Sequence, residues 1–263
     1  MNFLYLRHLN PAFKLKARRA IMKKKIALIT GGSTGIGASV AEELSEAGIR
    51  VAICDVNEKA GTELSKKLSG EFIFCDVADL CSVEKAAQIC TQNLGPPSFV
   101  HLNAGIMSVP TGSPFLPIED LSLEQYRRIV GVNLDGIFHG LKTFLPKMEK
   151  QGGAITITAS TAGLGVVPVD PMYTATKYAV IGMARAVAAA NEMSNIRVNV
   201  ICPGVTDTQI VPEKYKAPEF KMMPTHVMAK EIVDLLMHGS NGEVRVKVAA
   251  DKPAFEAEMI PLS

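Results

Sequence analysis

The chemically most suggestive run in this 263-residue chain is Thr30-Gly31-Gly32-Ser33-Thr34-Gly35-Ile36-Gly37. It follows a short apolar stretch and opens a helical pattern. Glycine permits positive φ and lets a bound group approach the backbone closely. Free N–H groups at a helix start, reinforced by the helix dipole, attract an anion. The loop therefore suits a dinucleotide pyrophosphate, with Gly31, Ser33, Thr34, Gly35, Ile36 and Gly37 as its contacts. Its spacing is G-x-x-x-G-x-G rather than G-x-G-x-x-G. Asp55 closes the next apolar run, about twenty residues on, where an acidic residue can hold both ribose hydroxyls and repel a 2′-phosphate. No Arg or Lys lies within Ser33–Gly37 or directly after Asp55. These residues predict NAD rather than NADP. The competing reading is that Asp55 only caps the following helix.

Such a loop needs a strand before it and a helix after it. Strands are expected at Ile26–Thr30, Arg50–Cys54, Glu71–Cys75, Phe99–Leu102, Ala154–Ala159, Arg197–Cys202 and Glu243–Ala249. Most are apolar without alternation, as strands buried on both faces of a parallel sheet are. Val244, Val246 and Val248 alternate with charged residues, which suits an edge. Helical patterns fill roughly 35–47, 57–68, 79–93, 122–149, 173–194 and 226–238. The alternation predicts an α/β, Rossmann-type doubly wound fold: a seven-stranded, mostly parallel sheet with helices on both faces. Between Tyr173 and Ala190 the helix is apolar nearly all round, so it must be covered all round. Small residues at Ala175, Ala179, Gly182 and Ala186 suit a closely packed partner subunit; another helix of the same chain is the alternative cover.

Composition narrows the function further. Residues 1–21 carry five basic residues and no acidic ones, which turns a net charge of +2 into −3 for the remainder. That body has no basic stripe for nucleic acid. Residues 1–23 are expected to be a basic N-terminal extension, either disordered or the product of a start placed upstream of Met22. A targeting or membrane-surface helix is the alternative. Residues 24–263 are expected to form one catalytic domain. No apolar run approaches the ~20 residues of a membrane span. Five scattered cysteines form no C-x-x-C pair, so neither a metal site nor a disulfide framework is expected, and the chain reads as cytoplasmic.

Several ordered motifs resemble the short-chain dehydrogenases/reductases, in the single-domain branch of this size. Thr30–Gly37 is similar to the family's T-G-x-x-x-G-x-G, and Asp76-Val77 to its D-V pair after the third strand. Asn103-Ala104-Gly105 resembles its N-A-G, with Leu102 replacing a frequent Asn. Asn133 lies in a V-N-L context, Ser160 thirteen residues before Tyr173, and Tyr173-Thr174-Ala175-Thr176-Lys177 matches Y-x-x-x-K. Pro203-Gly204-Val205-Thr206-Asp207-Thr208 matches P-G-x-x-x-T. Each motif also has a plain reading as a cap, turn or packing residue; their common order favours the family.

The resemblance implies an NAD-dependent oxidoreductase that passes a hydride between NAD(H) and a secondary alcohol or ketone. It implies Asn133, Ser160, Tyr173 and Lys177 as the catalytic set. The nicotinamide takes the hydride, and the protein supplies position and a base. A free tyrosine, with a pKa of about 10, is a weak base at neutral pH. Lys177, four residues on, shares its helix face and is expected to favour the phenolate. Ser160 would steady charge on the substrate oxygen, and Asn133 would hold a water linking Lys177 to solvent. Cofactor contacts are expected from the phosphate loop, Asp55, Val56, Asp76, Val77, Asn103, Ala104, Gly105, Tyr173, Lys177, Pro203, Gly204, Val205 and Thr208.

The substrate is expected to meet Ser160, Val167 and Tyr173 within segments 106–112, 161–172 and 205–226. Leu164, Val166, Val169, Met172, Ile210, Val211, Tyr215, Phe220, Met222 and Met223 make those segments apolar, so a hydrophobic substrate is expected. A homodimer or homotetramer is expected through the 122–149 and 173–194 helices. Asp251-Lys252-Pro253 departs from the family's Asp-Gly-Gly ending, which weighs against the tetramer. Two other readings stand: a 3-oxoacyl-type reductase of the same fold, and a non-catalytic NAD-binding sensor or scaffold.

Overall fold

The structure is a computed structural model that describes residues 22, 24–211 and 221–258. The expected N-terminal extension, with Tyr215 and Phe220, lies outside the described residues apart from Met22. Seven strands appear where the apolar runs place them: β1 Ile26–Thr30, β2 Arg50–Asp55, β3 Glu71–Phe74, β4 Phe99–Leu102, β5 Gly153–Thr158, β6 Ile196–Pro203 and β7 Val244–Lys247. All are parallel to their neighbours, in the order β3-β2-β1-β4-β5-β6-β7. An eighth strand, β8 Phe255–Glu256, pairs antiparallel with β7. The alternating Val244–Lys247 run is therefore next to the edge rather than at it. Lys247 is tucked inward, its Nζ donating to the Lys252 carbonyl at 2.5 Å.

The helices are α1 Gly35–Glu46, α2 Glu58–Leu68, α3 Leu80–Asn93, α4 Leu123–Val130, α5 Gly136–Met148, α6 Pro171–Ala190 and α7 Thr225–His238. Strand side chains alternate between two apolar layers. Leu28, Val100, Leu102, Ile155, Ile157, Val198 and Val200 face one layer, packed with residues of α3, α5 and α6. Ala27, Ile29, Val51, Ile53, Phe99, Ala154 and Ile201 face the other, packed with residues of α1 and α7. The expected single helix over 122–149 is divided. A π-turn at Gly131–Asp135 separates α4 from α5. Such wide turns bring a side chain out of helical register, and here that side chain is Asn133.

Candidate active site

The loop after β1 is shaped from two sides. Gly31 and Gly35 have φ of +60° and +56°. A Cβ on Gly37 would lie 2.1 Å from the Gly31 carbonyl oxygen, and one on Gly31 would lie 2.8 Å from Ala104 Cα. The segment after β4 grips this loop. Thr30 Oγ1 accepts from the backbone N–H groups of Asn103 (3.0 Å) and Ala104 (3.4 Å), and Asn103 Nδ2 donates to the Gly31 carbonyl at 3.0 Å. Thr34, the N-cap of α1, makes no side-chain capping bond. The leading N–H groups of α1 thus keep their attraction for an anion. This donor set fits a nucleotide pyrophosphate.

Asp55, at the end of β2, faces the loop. Its Oδ2 accepts from Ser33 N–H (3.0 Å) and Ser33 Oγ–H (2.5 Å), and its Oδ1 accepts from Asn57 N–H (3.0 Å). The cap of α2 is Asn57, which accepts from Ala60 N–H. Oδ1, which accepts one bond, retains acceptor capacity for a ribose hydroxyl, whereas Oδ2 is filled by Ser33. Val56 is exposed, whereas the Val77 side chain turns into the core beside Gly136. Asp76 Oδ1 accepts from Ala78 N–H, and the α3 cap is Asp79. Beyond β6, Gly204 N–H donates to the Lys247 carbonyl at 2.8 Å, and the Thr208 side chain lies 3.2 Å from where a Gly35 Cβ would be.

Ser160, Tyr173, Lys177 and Asn133 converge beside this loop. Ser160 lies two residues beyond the end of β5, its Oγ accepting from Ala162 N–H at 3.1 Å. Tyr173 and Lys177 lie in the first two turns of α6, the Lys177 Nζ 5.4 Å from the Tyr173 ring centre. Lys177 is 3% exposed, and its Nζ donates to the Thr158 carbonyl at 2.9 Å. Burial pulls Lys177 down to about 8. Burial pushes the Tyr173 phenol up to about 12, against an opposing hydrogen bond with Ser160. The lowering expected from Lys177 is therefore not what dominates: desolvation is the larger effect. Asn133, 1% exposed, clamps the segment after β4, accepting from Ile106 N–H (2.8 Å) and donating to the Ile106 carbonyl (2.9 Å) and Thr176 Oγ1 (3.2 Å). A point above Gly105, where a Cβ would sit, is 3.5 Å from Lys177 Nζ and 3.6 Å from Asn133 Oδ1.

A family model described as short chain dehydrogenase matches residues 25–219. The chain belongs to this family. As a short-chain dehydrogenase it is an oxidoreductase that acts on CH–OH groups with a nicotinamide cofactor. An uncharacterized oxidoreductase of Thermotoga maritima is 35% identical over 219 residues, 79% of this chain and 84% of the relative. A 3beta-hydroxysteroid dehydrogenase 2 of Eggerthella lenta is 34% identical over 197 residues, 72% of this chain and 74% of the relative. The solved 3-ketoacyl-(acyl-carrier-protein) reductase of Brucella melitensis, complexed with NADH, superposes with a TM-score of 0.78 at 24% identity, covering 86% of this chain and 97% of that one. The last likeness is one of fold.

Two features of this dehydrogenase escaped the sequence reading. Asp170 is 1% exposed and caps α6, its Oδ1 accepting from Tyr173 N–H and its Oδ2 from Ser108 N–H, both at 2.9 Å. The Asp-Pro pair before Tyr173 is the N-cap and N1 signature that could have revealed it. Met223, expected in the pocket wall, is instead fully buried in the layer beneath α7. Leu164, Val166, Val169 and Val205 are exposed, and Val167 is held through its N–H on Thr174 Oγ1 at 3.1 Å. Among the described residues, no helix is long and apolar enough to cross a membrane.

Proposed function

We propose that this short-chain dehydrogenase uses NAD(H) to interconvert a hydrophobic secondary alcohol and its ketone, with Tyr173 as acid–base. The observation that carries the reading is the convergence of Ser160, Tyr173, Lys177 and Asn133 beside the uncapped start of α1. The phosphate loop and Asp55 would hold the adenosine half of the cofactor, and the Asp55 carboxylate would repel a 2′-phosphate. When bound, the nicotinamide supplies the hydride acceptor and a positive charge. That charge offsets the burial that keeps the Tyr173 phenol protonated.

In the oxidising direction Tyr173 Oη takes the proton of the substrate hydroxyl while Ser160 Oγ donates to the same oxygen. The proton passes on through Lys177, whose amine is brought near neutral pH by burial. A water above Gly105, between Lys177 Nζ and Asn133 Oδ1, would complete the route to solvent. Leu164, Val166, Val167, Val169 and Val205 form the apolar rim for the substrate.

The test is absorbance at the reduced-nicotinamide band with a panel of secondary alcohols, NAD against NADP. Turnover with NAD is expected, and in Tyr173→Phe it should fall by about a thousandfold while NAD still binds. Binding without turnover across the panel would leave a sensor. Activity confined to charged or polyhydroxylated substrates would remove the hydrophobic assignment.

A further inference from the structure

A file of polar side chains crosses the sheet where apolar ones are the rule. His101 of β4 is 1% exposed, and Thr156 and Thr158 of β5 are 0% and 8% exposed. The alternation of β4 puts His101 on the same side as Phe99, in the layer beneath α1 and α7. His101 Nδ1 is 2.8 Å from Thr156 Oγ1, and its Nε2 is 3.3 Å from Thr158 Oγ1. Thr158 Oγ1 lies 3.1 Å from Asn103 Oδ1, and Asn103 Nδ2 lies 3.0 Å from the Gly31 carbonyl oxygen.

The direction of every bond follows from one end. The Gly31 carbonyl can only accept, so the Asn103 amide turns its NH2 toward it and its Oδ1 toward Thr158. Oδ1 also only accepts, which uses the single Thr158 hydroxyl proton. Thr158 Oγ1 must then accept from His101, so Nε2 carries the ring proton. In the neutral ring, which burial in this apolar layer favours, Nδ1 is bare and accepts from Thr156. Four hydrogen bonds thus run one way, from Thr156 to the phosphate loop. Any other tautomer, or a doubly protonated ring, breaks the sequence at a buried site where a lost partner is costly.

We infer that His101 is a positioning residue for the nucleotide: as the neutral Nε2–H tautomer it locks the Asn103 amide, and through it Gly31, in the geometry that receives the cofactor. Thr158 joins this relay to the reacting end, because its carbonyl holds Lys177 Nζ. The inference rests on the nucleotide reading of the loop. It touches neither substrate nor cofactor and acts only through Asn103.

Two measurements decide it. Imidazole 15N shifts of the full-length protein, without nucleotide, should show His101 neutral and protonated on Nε2 at pH 7. NAD titration calorimetry should show a Kd about tenfold weaker in His101→Leu. His101→Gln, whose amide can accept from Thr156 and donate to Thr158, should restore most of the affinity. In a Thr158→Val background, His101→Leu should weaken NAD no further, since the relay is already cut. A merely structural role would lower stability in both backgrounds and leave Kd unmoved. An Nδ1-protonated or charged ring would overturn the relay. An unchanged Kd in folded His101→Leu, or independent effects of His101→Leu and Thr158→Val on Kd, would overturn the positioning role. A wild-type protein that binds neither NAD nor NADP would overturn the functional reading and the positioning role with it. If His101→Leu does not fold, the tautomer and the Gln and Val variants still decide the matter.

Discussion

At the scale of single residues, burial sets protonation more strongly than neighbouring charge does. Tyr173, Lys177 and His101 all move toward their neutral forms for that reason. Burial pulls His101 down to about 3. In the unfolded chain the ring titrates near 6.5. Between those values the unfolded state binds a proton that the folded state refuses, so stability falls as pH falls through that window. From pH 7 to pH 5 the loss attributable to His101 should be about 2 kcal/mol. Urea unfolding of wild type and His101→Gln at both pH values isolates it, because the carboxylates are common to both proteins. An equal loss in the two would remove His101 as the cause.

The elements show how far local sequence reaches. All seven parallel strands and six helical stretches could be read from apolar runs and periodicity, because strands buried on both faces leave no ambiguity about where polar loops begin. The phosphate loop, Asp55, Asp76, Asn103, Ser160 and Pro203 were readable for the same reason, each lying at or just beyond a strand end, whereas Tyr173 and Lys177 were legible through their helical spacing. The π-turn was not readable. Gly131 and Asn133 are ordinary in a helical pattern, and the partners that reward the widened turn, the Ile106 backbone and Thr176, are distant in sequence. The two-residue β8 lies below any periodicity signal, and Met223 looked like a pocket residue because hydrophobicity does not say which side of a loop is buried. Asp170 joins α6 to the segment after β4, a contact that no local pattern reveals. Removing it strips two backbone N–H groups of their acceptor. Asp170→Ala should cost about 2 kcal/mol of stability and lower kcat more than it raises the KM for NAD. Thermal denaturation and steady-state kinetics check both; unchanged kcat would confine Asp170 to a stabilising role.

At the scale of the whole molecule, α6 has two unlike sides. One carries Thr176, Lys177, Val180, Ile181 and Ala184 into the protein. The other leaves Ala175, Tyr178, Ala179, Gly182 and Ala186 exposed, so no other helix among the described residues provides the cover that the sequence demanded. Space around Gly182 is open to 4 Å. We propose that a second copy covers this stripe, with Tyr126 of α4 and Phe138 of α5 at its flank, both exposed. Gly182→Arg should yield a monomer by sedimentation velocity. Replacing an exposed helical glycine favours the helix by roughly 0.5–1 kcal/mol, so lost assembly would not reflect a weakened fold. A dimer that survives the substitution would place the interface elsewhere. The helix that such a pairing would press between the copies is the same one that bears Tyr173 and Lys177. Turnover per chain would then depend on how dilute the enzyme is, and a cell could set activity through abundance as well as through substrate.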